Sequence, residues 1–153
     1  MRKLLFLGSA QSFADLALLL LRLFVGLFLI WGVWDNITSS ERMLEFTAFL
    51  GKHGFPNPRL MAPLSVYLQF AIGLGFVLGL FTRWAGIFCA IHFAIAIAMV
   101  DRLGGMRGIF PSGCLVGIGL YLATYGAGRF SVDAALRANE VPRSTAGSVR
   151  LKR

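Results

Sequence analysis

The chain has 153 residues, of which 57% are hydrophobic and 14% charged, and its mean hydropathy is +0.73. So apolar a composition excludes a disordered chain and argues against a soluble globule, because one small core cannot hide that much apolar surface. Fifteen Lys and Arg against seven Asp and Glu leave a net charge of +8. The basic residues flank apolar runs, so they imply an anionic membrane surface as partner and no nucleic acid.

The elements follow from where the charges fall. Arg2 and Lys3 resemble the start of a secretory signal, but the apolar stretch behind them, Leu4–Leu7, ends at Gly8-Ser9. That is shorter than the roughly 7–15 residues a cleaved signal needs, so no cleavage is expected there. The first long apolar run, 16–34, lies between Asp15 and Asp35 and is interrupted by Arg22 alone. Three further blocks carry no Asp, Glu, Lys or Arg at all: 60–82, 84–100 and 108–128. A membrane-spanning helix needs about 20 apolar residues at about 1.5 Å each, so these blocks predict four spans. We place them at about 16–36, 60–82, 84–101 and 108–128. The third is short, and Trp84 at its start suits an interfacial anchor.

Between the first two spans, Thr38-x-x-Glu41 has the form of a capping box. Met43, Leu44, Phe46, Phe49 and Leu50 follow at helical spacing, and Gly51 can end such a helix. A short amphipathic helix on or in the outer face is expected. Gly54-Phe55-Pro56-Asn57-Pro58 then breaks the chain before it re-enters the membrane. At the other end, 137–153 reads as a basic, flexible cytoplasmic tail, leaving 1–136 as the membrane domain. Nine Lys and Arg flank the spans on the side of the two termini and five on the other. The positive-inside rule therefore puts both termini in the cytoplasm. The fold class is all-α: a four-helix membrane bundle with one amphipathic helix in the first outer loop.

Helices in lipid associate through small residues. Gly26, the pair Gly75 and Gly79, and the pair Gly113 and Gly117 are the candidates for packing seams. Polar side chains within spans are costly unless paired or wetted. Arg22, Gln69 and His92 are the rare examples, at roughly 10–14 Å from the nearer span edge. Their depths allow one shared polar cluster that binds a ligand. Each also has a plainer role: Arg22 snorkelling to headgroups or pairing with Asp15, Gln69 and His92 hydrogen-bonding across helices.

Several chemistries are disfavoured. His92 is the sole intramembrane histidine, so bis-histidine haem ligation is not expected. Cys89 and Cys114 fall near opposite ends of their spans, too far apart for a disulfide, and no zinc-ligand spacing is present. No carboxylate lies at mid-membrane to couple transport to protons, and no catalytic set or metal site stands out.

The sequence resembles the DoxX family of small four-span bacterial membrane proteins. The resemblance is carried by Leu20-Leu21-Arg22-Leu23-Phe24-Val25-Gly26, the Gly54–Pro58 segment, and Gly73-Leu74-Gly75 through Leu78-Gly79-Leu80-Phe81-Thr82-Arg83. It continues in Gly126-Ala127-Gly128-Arg129-Phe130-Ser131-Val132-Asp133. Many members carry a glutamate where this chain has Gln69, which removes a titratable group from that position. The family is named for a subunit of a quinol oxidase. The resemblance thus implies an inner-membrane, non-catalytic, redox-associated subunit that binds a quinone and partners a separate oxidoreductase. For such a ring Arg22, Gln69 and His92 would supply hydrogen bonds, and Trp31, Trp34 and Tyr67 the aromatic walls. The alternatives are a small oligomeric permease or solute- or lipid-binding protein, with the glycine seams serving a homo-oligomer, and a membrane scaffold.

Overall fold

The computed structural model describes residues 13–140. The described chain is helical: α1 (Ala14–Thr38), α2 (Ser40–Lys52), α3 (Pro58–Leu78), α4 (Thr82–Met99), α5 (Gly105–Tyr125) and α6 (Val132–Glu140). A single 3-10 turn, Asp101–Gly104, joins α4 to α5. The four long helices are the four expected spans, each long and apolar enough to cross a bilayer. At most 33% of each span's most apolar stretch is buried within the protein. A soluble bundle hides its apolar stripe, whereas a membrane bundle turns apolar side chains to lipid on its outside.

The helix ends show why the chain folds back where it does. α1 runs to Thr38, whose hydroxyl donates to the Trp34 carbonyl at 2.9 Å, as a residue still inside a helix does. Thr38 is therefore not the cap of α2. Ser39 takes that role in extended backbone, its side chain accepting from the Arg42 amide. Gly51 likewise stays inside α2, and Gly54, at φ +76°, makes the reversal. Asn57 in the left-handed region and Pro58 at the first helical position then start α3. α3 stops at Leu78, four residues short of the expected end, because Gly79 turns left-handed at φ +65° and Phe81 follows at +49°. α6 runs through Glu140, so the first residues of the expected tail are helical. The termini 1–12 and 141–153, with their basic residues, lie outside the described residues.

Helix directions place two ends of the bundle. At one end α1 begins, α3 ends, α4 begins and α5 ends, close to α6. At the other lie α2 and the turn before α5. α1 packs mainly on α3, and α4 mainly on α5. Each pair crosses at facing glycines. A methyl built on Gly26 would stand 2.7 Å from the Gly73 carbonyl oxygen, and one on Gly73 2.8 Å from that of Gly26. On the second pair a methyl on Gly86 would stand 2.5 Å from the Gly119 oxygen. Backbones that close leave room for hydrogen alone. Gly75 faces Ala85 across the α3–α4 turn, while methyls at Gly113 and Gly117 would meet nothing within 4 Å. Leu18, Val25, Leu29, Ile72, Phe76, Ala85, Cys89, Leu115 and Leu122 form the core between the two pairs. Both cysteines are free.

Candidate ligand cavity

Arg22 is the largest fully buried side chain among the described residues, with 1% of its surface exposed. It neither snorkels nor pairs with Asp15. Its Nε donates to the Phe76 carbonyl at 3.0 Å, and its Nη1 donates to the carbonyls of Ala127 and Phe130, the latter at 3.1 Å. Phe76 lies in the last turn of α3, where carbonyls have no partner within the helix and the helix dipole is negative. A buried guanidinium is tolerable only when its donors are engaged, and these backbone oxygens take three of the five, one on Nε and two on Nη1. Gly79 leaves the space: a methyl there would lie 2.5 Å from Arg22 Nη2 and 2.6 Å from the Ser131 side chain.

Asp133 complements this arrangement on the next helix. Its carboxylate accepts from the Phe81 amide at 2.8 Å and the Thr82 amide at 3.0 Å. Those are unpaired donors at the start of α4, where negative charge is favoured. A cation thus closes the end of α3 and an anion the start of α4, with the 126–133 segment carrying one and receiving the other. Asp15 meets the same segment, accepting from the Arg129 amide at 3.3 Å. These residues are the Gly-x-x-Thr-Arg and Ser-x-Asp motifs of the sequence, and they form a clamp on the break between α3 and α4. Replacing Asp133 by Asn leaves one oxygen for two amides. The expected cost is about 1–2 kcal/mol, read as a lower unfolding midpoint.

The other end of the bundle is open inside. A cavity of about 380 Å³ lies beneath α2. Phe46, Phe49 and Leu50 of α2 and Phe55 of the following turn cover it. Met61, Leu64, Ser65, Leu68 and Gln69 of α3 form one side, and His92, Phe93, Ile95 and Ala96 of α4, with Val100 just after it, another. Asp101 and Ser112 complete it. Its size suits one small molecule, and its surface is apolar with a few polar groups, as ligand sites are. Gln69 Nε2 donates to the Leu29 carbonyl at 3.2 Å, which fixes the amide between α1 and α3 and leaves its carbonyl oxygen as an acceptor. The His92 ring sits edge-on to Phe93, with centroids 5.0 Å apart.

The structure therefore brings Gln69 and His92 to one cavity, and places Arg22 in the clamp at the opposite end. Trp31, Trp34 and Tyr67 do not line the cavity. Trp31 points outward with 82% of its surface exposed, Tyr67 is also exposed, and Trp34 lies 6.4 Å from Phe70 between ring centroids. The aromatic walls are phenylalanines, three of them on or just after α2. The helical spacing of Phe46 and Phe49 was visible in the sequence, but not that the helix they ride on roofs a cavity. Among the described residues no cluster of three or more His, Cys, Asp or Glu is placed to hold a metal.

Four apolar spans, glycine crossings and a charged clamp at one end define a small multi-pass membrane protein embedded in the lipid bilayer. The family model of DoxX matches residues 17–102, more than half of the chain. The protein belongs to the DoxX family. It is 28% identical over 131 residues to the inner membrane protein YqjF of Escherichia coli strain K12, a match covering 82% of this chain and 96% of that one. No solved structure gives a significant match.

Proposed function

We propose that this protein holds a small, ring-bearing lipophilic molecule in the cavity beneath α2, without chemistry of its own, and serves a separate membrane oxidoreductase. The cavity itself carries the reading: about 380 Å³ with phenylalanine walls and the polar groups of Gln69 and His92 at its side. Below it the core and the Arg22 clamp fill the bundle, which favours holding a ligand over conducting one. The redox association rests on the family resemblance, which implies a quinone as the ring. The name of the Escherichia coli relative supports an inner-membrane location. The distribution of Lys and Arg supports cytoplasmic termini, with the cavity toward the opposite side.

Ala96 lines the cavity and is the position for filling it. A short-chain benzoquinone titrated into the protein in nanodiscs is expected to bind the wild type and to lose at least about tenfold in affinity for Ala96→Trp. Tenfold corresponds to about 1.4 kcal/mol. Equal affinity in both proteins would remove the cavity from the account.

A further inference from the structure

We propose that Ser112 anchors the molecule held beneath α2 by donating a hydrogen bond to a neutral carbonyl oxygen on its ring. This role rests on the cavity being the ligand site. It also sets which way round the ligand lies: carbonyl toward the middle of the bundle, apolar body under α2.

Ser112 lines the cavity and has only 9% of its surface exposed. On α5 it is buried together with Leu115, Gly119 and Leu122, which share one face of the helix. That face packs on α4, Gly119 against Gly86 and the Leu115 carbonyl against Cys89. The Ser112 side chain therefore points into the bundle, one turn beyond these contacts, where the cavity opens. Thr47 and Thr124 turn their hydroxyls back onto carbonyls of their own helices, at 2.8 and 3.0 Å. The Ser112 hydroxyl makes no such bond and finds no partner among the described residues. The unpartnered side-chain atoms sealed from any probe there are Thr82 Oγ1 and Asp101 Oδ2, so the Ser112 hydroxyl is not sealed. The surface it keeps is cavity surface.

Two other polar residues of the lining stand at the same level. α4 and α5 run antiparallel and meet at Gly86–Gly119 and at Cys89–Leu115, so the next turn sets His92 and Phe93 opposite Ser112. α3 and α4 meet at Gly75–Ala85; six residues back along α3 is Gln69, and six on along α4 is Ile91, beside His92. Three helices thus bring Gln69, His92 and Ser112 to the floor of the cavity, and Phe46, Phe49 and Phe55 cover its roof. Gln69 directs its Nε2 to the Leu29 carbonyl on α1, so the donors at this level are Ser112 and His92.

A buried hydroxyl without a partner calls for an acceptor. An anionic acceptor is disfavoured, because no Lys or Arg lines the cavity to offset its desolvation. A carbonyl oxygen is neutral and has two lone pairs, one for Ser112 and one for the N–H that a neutral imidazole always carries. Set on a ring, it leaves a flat apolar body to lie against the phenylalanines. The oxygens of a quinone meet this description.

The experiment uses the full chain in phosphatidylcholine nanodiscs. The probes are acetophenone and α-methylstyrene, alike in shape, with a carbonyl oxygen in one where the other has a methylene. Affinities are read by saturation-transfer NMR, and comparing variants with one probe at a time cancels its partition into lipid. Ser112→Ala is expected to weaken acetophenone about fivefold and to leave α-methylstyrene within about twofold. Ser112→Thr, which keeps the hydroxyl, should recover most of the acetophenone affinity, and thermal melting checks that both variants fold. Ala96→Trp should weaken both probes. If Ser112→Ala changes both probes equally, or changes neither, while Ala96→Trp weakens both, the role of Ser112 is overturned and the cavity remains a site. If Ala96→Trp changes neither probe, or neither binds the wild type, the role of Ser112 falls together with the cavity reading.

Discussion

Arg22→Met is expected to destabilise the protein by about 3 kcal/mol or more. Three backbone carbonyls lose their donor at once, and a buried acceptor left unsatisfied costs about 1–3 kcal/mol. The three costs are not additive, since the 126–130 segment can shift once released. Methionine keeps much of the apolar length of the side chain, so the effect reports the lost hydrogen bonds more than a lost volume. Arg22→Lys should recover part of the loss, because a single ammonium can serve some of these oxygens but not in the planar fork that meets all three. Unfolding by detergent titration, followed by circular dichroism, reads the effect. A midpoint unchanged in Arg22→Met would mean that the arginine does not hold the clamp together. Asp101 and Gln69 lie at the other end of the bundle, so a folded Arg22→Lys protein should keep its cavity and its ligand.

The second large effect is expected at the glycine crossing of α4 and α5. A methyl on Gly86 would lie 2.5 Å from the Gly119 oxygen, and one on Gly119 2.8 Å from the Gly86 oxygen, so the backbones themselves must move apart. Alanine is the better helix former by about 1 kcal/mol. Overpacking against backbone costs about 1–3 kcal/mol, and valine adds bulk and a β-branch to it. Gly86→Val and Gly119→Val are therefore expected to lose about 2 kcal/mol or more. Gly113→Ala, on the same helix as Gly119 but with nothing within 4 Å of the added methyl, is the internal control. It should be neutral or slightly stabilising. Equal effects at Gly113 and Gly119 would show that the crossing is not where the helices touch.

These two sites also show what the sequence could and could not disclose. The spans were legible because lipid forbids unpaired charge along their length. Arg59, Arg83, Arg107 and Arg129 therefore mark ends within a few residues of where α3, α4 and α5 begin and stop. The amphipathic α2 was legible from its spacing, and its cap was misplaced by one residue because α1 extends through Thr38. The depth of Arg22 along α1 was also readable, but depth in one helix does not name a neighbour in another. What decides its role is that α3 ends early, at the left-handed Gly79, which brings open carbonyls to the level of the guanidinium.

The glycines teach the same lesson. The Gly-x-x-x-Gly spacings drew attention to Gly75, Gly79, Gly113 and Gly117, yet the facing pairs are Gly26 with Gly73 and Gly86 with Gly119. A crossing is a property of two helices, and spacing along one does not reveal it. Asp101 stands in the turn before α5 and at the wall of the cavity. Its position against a roofed cavity follows from α2 folding over α3 and α4, a long-range arrangement that no local pattern encodes.

The central claim is that one small molecule occupies the space beneath α2. The most direct test is native mass spectrometry of the protein gently extracted from its own membrane, with bound small molecules and co-purifying proteins identified in the same run. The account predicts a stoichiometric low-mass ligand on each wild-type chain that is lost from Ala96→Trp, and a separate oxidoreductase retained in the complex. A wild-type protein carrying only the bulk phospholipid of its membrane, indistinguishable from Ala96→Trp and without an oxidoreductase, would contradict it.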